Sequence, residues 1–234
     1  VVIGGDGTLA AVAGAVAGSD LPIVPLPGGT MNAFSRDVGF GADLPAAIKQ
    51  IPQTQRREVD VAFAGDRAFL NNVVFGAYTS VASSRERIRE VDTIGEKIEA
   101  ATEAIGALAF SDTDAYQVDV DGETINARTN TIMVANNKYT GADALRPVRD
   151  NVDAGVLGLY IARSTTSIDF LSVLADAVSG NISDSELMHF RRCQNCRVSS
   201  ETTYLEITID GEAMEWRSPI EISIKPGGLK VLAP

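Results

Sequence analysis

Val1, Val2 and Ile3 form a short apolar run that ends directly in Gly4-Gly5-Asp6-Gly7-Thr8, and a small, apolar, helix-forming stretch follows from Leu9 to Ala17. About one βα unit later the pattern recurs. Ile23-Val24-Pro25-Leu26 leads into Pro27-Gly28-Gly29-Thr30, and a helix starts over Met31 to Val38. Strand, glycine turn and helix, repeated, predict a parallel sheet with its ligand-binding loops gathered at the strand ends. The two glycine turns then flank one crevice. Glycines in the first turn permit positive φ and a close approach to a ligand. Successive N–H groups and the helix that follows suit an anion. Glycine count alone leaves a plain strand–helix turn as good a reading, because short glycine motifs are weak signals. A short helix over Leu44 to Gln50 closes the segment, and Gln53 to Arg57 reads as a polar connection.

From Glu58 the texture turns to β. Val59, Val61 and Phe63 alternate, Gly65-Asp66 makes a turn, and Phe69 to Phe75 reads as one strand. Further strands are predicted at Tyr116 to Val120, Thr124 to Arg128, Thr131 to Ala135, Val156 to Ile161, Arg197 to Ser199, Tyr204 to Ile209 and Ile220 to Ile224. Short strands with closely spaced turns predict an antiparallel sandwich or barrel. Two stretches break the pattern. Ser84 to Phe110 carries apolar residues at three- and four-residue intervals, and Ile168 to Ser179 also reads as a helix. The first has Arg85, Arg87 and Arg89, which suit an anionic surface but equally a solvated helix face.

Charge excludes some partners. The 234 residues hold 31 acidic and 20 basic side chains, a net charge of -11. Nucleic-acid binders need a basic footprint, so that class is excluded. Loose electrostatic adhesion to an anionic membrane is disfavoured too. No apolar run approaches the ~18 residues of a membrane helix. The first residue is Val1 with no basic stretch behind it, so no signal peptide is read. Cys193 and Cys196 form the whole cysteine complement. They give no disulfide framework and fit a reducing cytoplasm. With His189 they supply three of the four ligands a structural zinc needs, and an incidental pair is the expectation.

Gly4-Gly5-Asp6-Gly7-Thr8 followed by Gly29-Thr30-Met31-Asn32-Ala33-Phe34-Ser35-Arg36 resembles the diacylglycerol kinase catalytic-domain family, which includes bacterial lipid kinases and the sphingosine and ceramide kinases. The first motif alone also fits NAD kinases and phosphofructokinases; the second discriminates. Phe69 to Gly76, Asn136 to Pro147, Asp210-Gly211-Glu212 and the tail from Pro219 to Leu232 are similar to later motifs of that family, in order. The resemblance implies an α/β plus β fold. A partial Rossmann-like nucleotide-binding domain over 1–57 precedes an antiparallel β-sandwich lipid-substrate domain over 58–234, whose last strand is free to return to the first domain. It implies an ATP-dependent lipid kinase acting on a diacylglycerol-like or sphingoid hydroxyl, with Mg²⁺. Gly4, Gly5, Asp6, Gly7, Thr8, Gly29, Thr30 and Asn32 would bind the nucleotide, and Asp6 would order Mg²⁺ through water. Glu212 would be the general base with Asp210 as its partner. Such a protein is expected in the cytoplasm, meeting its lipid by transient peripheral contact.

Asp121-Gly122-Glu123 repeats the Asp-Gly-Glu tripeptide, and Asp-Gly is a favoured hairpin turn, so two plain hairpins account for both copies. The resemblance alone selects the second as catalytic. Three departures from the family pattern stand out. Two earlier β-α units with an N-x-x-S/G-G loop are missing before Val1, so the chain is expected to be N-terminally truncated and inactive as it stands. Ala33 replaces a common Asp. Ala154 replaces an Asp that helps hold a structural Mg²⁺, leaving Asp153 as the carboxylate that could substitute. These departures keep two alternatives open: a non-catalytic nucleotide- or lipid-binding module, and an NAD kinase-like enzyme with a soluble substrate.

Overall fold

The computed structural model describes residues 1–76, 113–143, 146–149, 151–163 and 188–234. The helices expected over 84–110 and 168–179, with Arg85, Arg87 and Arg89, lie outside the described residues.

Strand β1 (Val2–Gly4) and strand β2 (Pro25–Pro27) pair in parallel, with helix α1 (Asp6–Val16) between them in sequence. Helices α2 (Ala33–Asp37) and α3 (Leu44–Gln50) follow. Asp43 caps α3 by accepting a 2.9 Å hydrogen bond from the Ala46 N–H, and Pro45 sits in its first turn, where a missing N–H costs nothing. Leu9, Ala13, Leu26, Phe34 and Val38 form the core of this part.

The rest is antiparallel. Strands β3 (Gln55–Ala64), β4 (Arg67–Phe69) and β5 (Asn72–Gly76) are followed by β6 (Asp114–Val120), β7 (Glu123–Thr129) and β8 (Thr131–Asn136). Next come β9 (Gly141–Asp143), β10 (Arg146–Val148), β11 (Leu157–Ala162), β12 (Met188–Cys193) and β13 (Asn195–Ser200). The chain closes with β14 (Tyr204–Ile209), β15 (Glu212–Arg217) and β16 (Ile220–Ala233). One six-stranded sheet has the order β4-β3-β16-β13-β6-β7, the other β12-β11-β8-β5-β14-β15. Val118 and Ile222 of the first meet Val73, Ile132 and Ile207 of the second in one apolar core, as alternating half-buried strands require.

The last strand ties the two parts together. β16 pairs with β3 over almost its whole length, with a bulge between Lys225 and Leu229. Its end then runs beside Ile23, whose N–H donates to the Lys230 carbonyl at 2.9 Å and whose carbonyl accepts from the Leu232 N–H at 2.8 Å. Val59, Val61, Leu229 and Val231 therefore pack with α1 and α2, while Ala62, Ala64 and Ile222 pack in the sandwich.

Three local expectations change. Residues 55–57 are not a connection but the start of β3, paired with Val231 to Ala233. Gln55, Arg56 and Arg57 are all exposed, so no alternation marks them as strand. The strand expected over Phe69 to Phe75 is two, broken at Leu70 and Asn71, whose N–H groups turn to a carboxylate described below. Strands β9, β10, β12 and β15 lie outside the expected set, although Met214 and Trp216, partly buried two residues apart, carry the signal of β15.

Candidate active site

The two glycine turns lie back to back. The Gly28 N–H donates to the Gly4 carbonyl at 2.9 Å. A Cβ on Gly29 would stand 2.5 Å from the Gly5 Cα, so no larger residue fits there. None of Gly4, Gly5, Gly7, Gly28 and Gly29 has a positive φ. Their glycines serve close approach between neighbours, not the left-handed backbone the motif also allows.

Helix α1 begins earlier than its apolar pattern shows, at Asp6, so Asp6, Gly7 and Thr8 are its first turn. Gly5 is the N-cap and offers no side-chain acceptor. The first N–H groups of α1 keep the need for an acceptor that every helix start carries, together with the positive end of the dipole. Asp6 does not answer that need. Its carboxylate crosses to α2, where Oδ2 accepts from the Ala33 N–H at 3.2 Å and Oδ1 from the Phe34 N–H at 3.0 Å. Ala33 thus takes part through its backbone. Asn32, buried and at φ 50, closes its own turn: Oδ1 accepts from the Gly29 N–H at 2.7 Å and Nδ2 donates to the Gly29 carbonyl at 2.8 Å. Thr30 is exposed at the tip. Asp6 and Asn32 therefore fasten the second glycine turn against the first.

Both Asp-Gly pairs are hairpin turns, with positive φ at Asp121 and Gly122 and at Asp210 and Gly211. Their surroundings separate them. Glu123 forms a 2.6 Å ion pair with Arg191. Glu212 instead reaches α1: its Oε1 would stand 2.5 Å from a Cβ on Gly7. The other carboxylate oxygen pairs with the Arg67 guanidinium. Asp210 is not bonded to Glu212. Its Oδ2 accepts from the Leu70 N–H at 2.8 Å, and its Oδ1 accepts from the Asn71 and Asn72 N–H groups at 2.8 and 3.0 Å. Beside them lies a cleft of about 350 Å³, lined by Gly7, Ala10 and Gly14 of α1 and by Asp66, Arg67 and Asp210.

Burial, with the negative Asp6 nearby, pushes the Asp210 carboxyl up to about 6 against the opposing pull of its three N–H donors. In the folded protein it holds a proton that the unfolded chain releases near its ordinary 3.8. Its contribution to stability is therefore fully present below about 4 and falls as pH rises to about 6. The three N–H bonds need the ionised form. Activity that depends on the 70–72 turn is thus expected to fall as pH drops through about 6, an acid limb that a kcat/KM profile measures and that Asp210→Asn removes.

Two arginines matter that no spacing in the sequence marks. Arg67 lines the cleft. Arg149 is buried and joins three segments. It donates to Asp37 Oδ2 through Nε and Nη2 at 2.9 and 2.6 Å, and to the Leu70 and Asn136 carbonyls through Nη1 at 2.6 and 2.7 Å. Arg149 therefore locks α2, which follows the second glycine turn, to the turn that Asp210 holds.

Asp153 is exposed, while its neighbours are anchored by the Ala154 N–H donating to Asn137 Oδ1 at 3.0 Å and the Gly155 N–H to Asp60 Oδ2 at 2.6 Å. Among the described residues no group of three or more His, Cys, Asp or Glu side chains could hold a metal ion. Cys193 and Cys196 are buried free thiols, and His189 lies against Arg163 and Arg191 instead.

Residues 1–64 match the diacylglycerol kinase catalytic domain, and residues 71–233 match the YegS C-terminal NAD kinase beta sandwich-like domain. The chain belongs to the family that joins these two domains. An uncharacterized Synechocystis protein is 27% identical across the whole chain, which spans about half (54%) of that relative's length. A Staphylococcus haemolyticus protein named "Putative lipid kinase SH2167" is 25% identical over 99% of the chain and 75% of its own length. The crystal structure of a diacylglycerol kinase from Bacillus anthracis Sterne superposes with a TM-score of 0.75 at 22% identity, covering 99% of this chain and 76% of that one, and so shares the fold. Among the described residues no helix is long and apolar enough to cross a membrane.

The family's paired motifs give Gly7 a specific meaning. Gly7→Ala replaces a glycine in the first turn of α1, where propensity favours alanine by less than the roughly 1 kcal/mol of a helix interior. The added Cβ would displace Glu212. We expect an unchanged or raised melting temperature together with at least a tenfold loss of activity, read from one purified variant by calorimetry and turnover.

Proposed function

We propose that this protein is an ATP-dependent lipid kinase that transfers the γ-phosphate to the hydroxyl of a diacylglycerol-like or sphingoid lipid. One observation carries the reading: Glu212, from the far end of the chain, stands over Gly7 in the first turn of α1, where the uncapped N–H groups lie.

The residues divide the work. The first-turn N–H groups of Asp6, Gly7 and Thr8, with the α1 dipole, take phosphate oxygens. Gly29 and Thr30 present the second turn alongside, braced by Asn32. Glu212 accepts the hydroxyl proton as the lipid oxygen forms its bond to the γ-phosphorus and the bond to the departing ADP oxygen breaks. Asp210 supports Glu212 indirectly, by fixing the 70–72 turn and the hairpin that carries both acids. The donor set fits a Mg²⁺ that arrives with the nucleotide and keeps most of its waters, which Asp6 would hold through water; it would neutralise the phosphate charge. It does not fit a metal caged by protein alone.

The net charge of -11 supports transient, local contact with a cytoplasmic membrane face rather than general electrostatic adhesion. Incubation of the full-length protein with radiolabelled ATP, Mg²⁺ and three acceptors tests the reading. Diacylglycerol or sphingosine in mixed micelles should take label. Label on NAD alone would favour the soluble-substrate enzyme, and ATP binding with no labelled product would favour a binding module.

A further inference from the structure

The Arg67–Glu212 ion pair poses a chemical problem for the reading above. The guanidinium occupies one oxygen of the carboxylate assigned as the base, and the other oxygen lies against Gly7. Arg67 is also the one cation among the residues that line the cleft beside Gly7. Its other contact is weak, a 3.6 Å approach of Nη1 to the Met214 sulfur. The side chains of Arg67 and Glu212 are 41% and 57% exposed, and half-exposed pairs of this kind are weak and exchange readily. The Glu212 carboxylate, moreover, stands over the first turn of α1, where an anion is best received.

We propose that Arg67 is a catalytic residue whose guanidinium moves from Glu212 to the transferring phosphoryl group. In the resting protein Glu212 acts as a stand-in anion for Arg67. When a triphosphate arrives on the first turn of α1, its terminal oxygens take over the guanidinium, which matches phosphate bidentately as well as it matches a carboxylate. The exchange does two things at once. It neutralises charge on the group in flight, the largest single contribution available in phosphoryl transfer. It also releases Glu212 to take the hydroxyl proton. No covalent bond forms or breaks in the exchange; the guanidinium passes from a carboxylate to a phosphate oxygen.

The proposal deepens the kinase reading, and its test separates the two. Calorimetric titration of the intact protein with inorganic tripolyphosphate, ADP and a non-hydrolysable ATP analogue is compared between wild type, Arg67→Gln and Arg67→Lys. Wild type should bind the triphosphates about tenfold more tightly than ADP. Arg67→Gln should lose that preference while binding ADP within about twofold of wild type and melting at the same temperature. In turnover with lipid, Arg67→Gln should lower kcat by about 10²- to 10³-fold with little change in the lipid KM, and Arg67→Lys should recover part of it. An Arg67→Gln protein that keeps the triphosphate preference, or keeps kcat within threefold, overturns the proposal, as does a wild type that binds no triphosphate. Arg67-dependent triphosphate binding with no labelled lipid leaves the move of Arg67 onto the terminal phosphate standing and sinks the lipid-kinase reading.

Discussion

Glu212→Gln is expected to lower the rate of phosphoryl transfer by about 10²- to 10⁴-fold, the usual contribution of a positioned general base. Glutamine keeps the shape and can still lie over Gly7, but it cannot take the hydroxyl proton. The side chain is more than half exposed, so the fold does not depend on it, and the melting temperature should stay within a degree or two of wild type. Nucleotide affinity should hold or improve, because a negative charge beside the phosphate site is gone. Single-turnover kinetics with saturating ATP separate these effects. A variant that binds nucleotide normally and transfers phosphate at more than a third of the wild-type rate would remove Glu212 from the chemistry.

Arg149→Met carries the largest expected effect on stability. Its guanidinium is 1% exposed and its partner Asp37 is 3% exposed. Removing one member of a buried ion pair typically costs 3–5 kcal/mol, because the other buried charge loses that compensation. Here the Leu70 and Asn136 carbonyls lose a donor as well. We expect a loss of about 4 kcal/mol in the urea unfolding free energy. Replacing both partners, as Arg149→Met with Asp37→Leu, should cost less than the sum of the two single changes, because their mutual interaction is then lost only once. Activity should fall in the single variant even below its melting temperature, because the 70–72 turn is held by Arg149 on one side and Asp210 on the other. A single variant within 1 kcal/mol of wild type would mean that the pair contributes nothing to joining the two parts.

Local order was legible in the residues themselves. The bounds of α3 follow from Asp43, Pro45 and the helix-forming run to Gln50. Two back-to-back glycine turns follow from two strand–turn–helix units in succession. What stayed hidden is long-range. Leu70 and Asn71 sit in a stretch read as one strand from Phe69 to Phe75, although Asn71 and Asn72 interrupt its apolar residues, and the carboxylate that breaks it comes from Asp210, about 140 positions away. Residues 55–57 look like a linker because all their side chains face solvent, and only pairing with the end of β16 makes them strand. The glycines of the first motif suggested unusual φ values, yet the structure uses them for space: Gly5 against Gly29, and Gly7 against Glu212. The assignment of Glu212 over Glu123 came from family resemblance, since the two tripeptides are identical and both make hairpins. Arg67 and Arg149 had no signal at all. An arginine after a turn is ordinary surface composition until the chain folds and a carboxylate meets it.

We propose that the glycine turns, Glu212 and the sandwich together move phosphate from ATP to a lipid hydroxyl. The direct measurement is label transfer from radiolabelled ATP, with Mg²⁺, by the full-length protein to lipid extracted from diacylglycerol- or sphingosine-containing micelles. Wild type should yield a labelled phospholipid product, and Glu212→Gln should reduce it at least a hundredfold at equal nucleotide occupancy. Bound ATP with no label in the lipid fraction, or label in equal amounts from both proteins, would contradict the account.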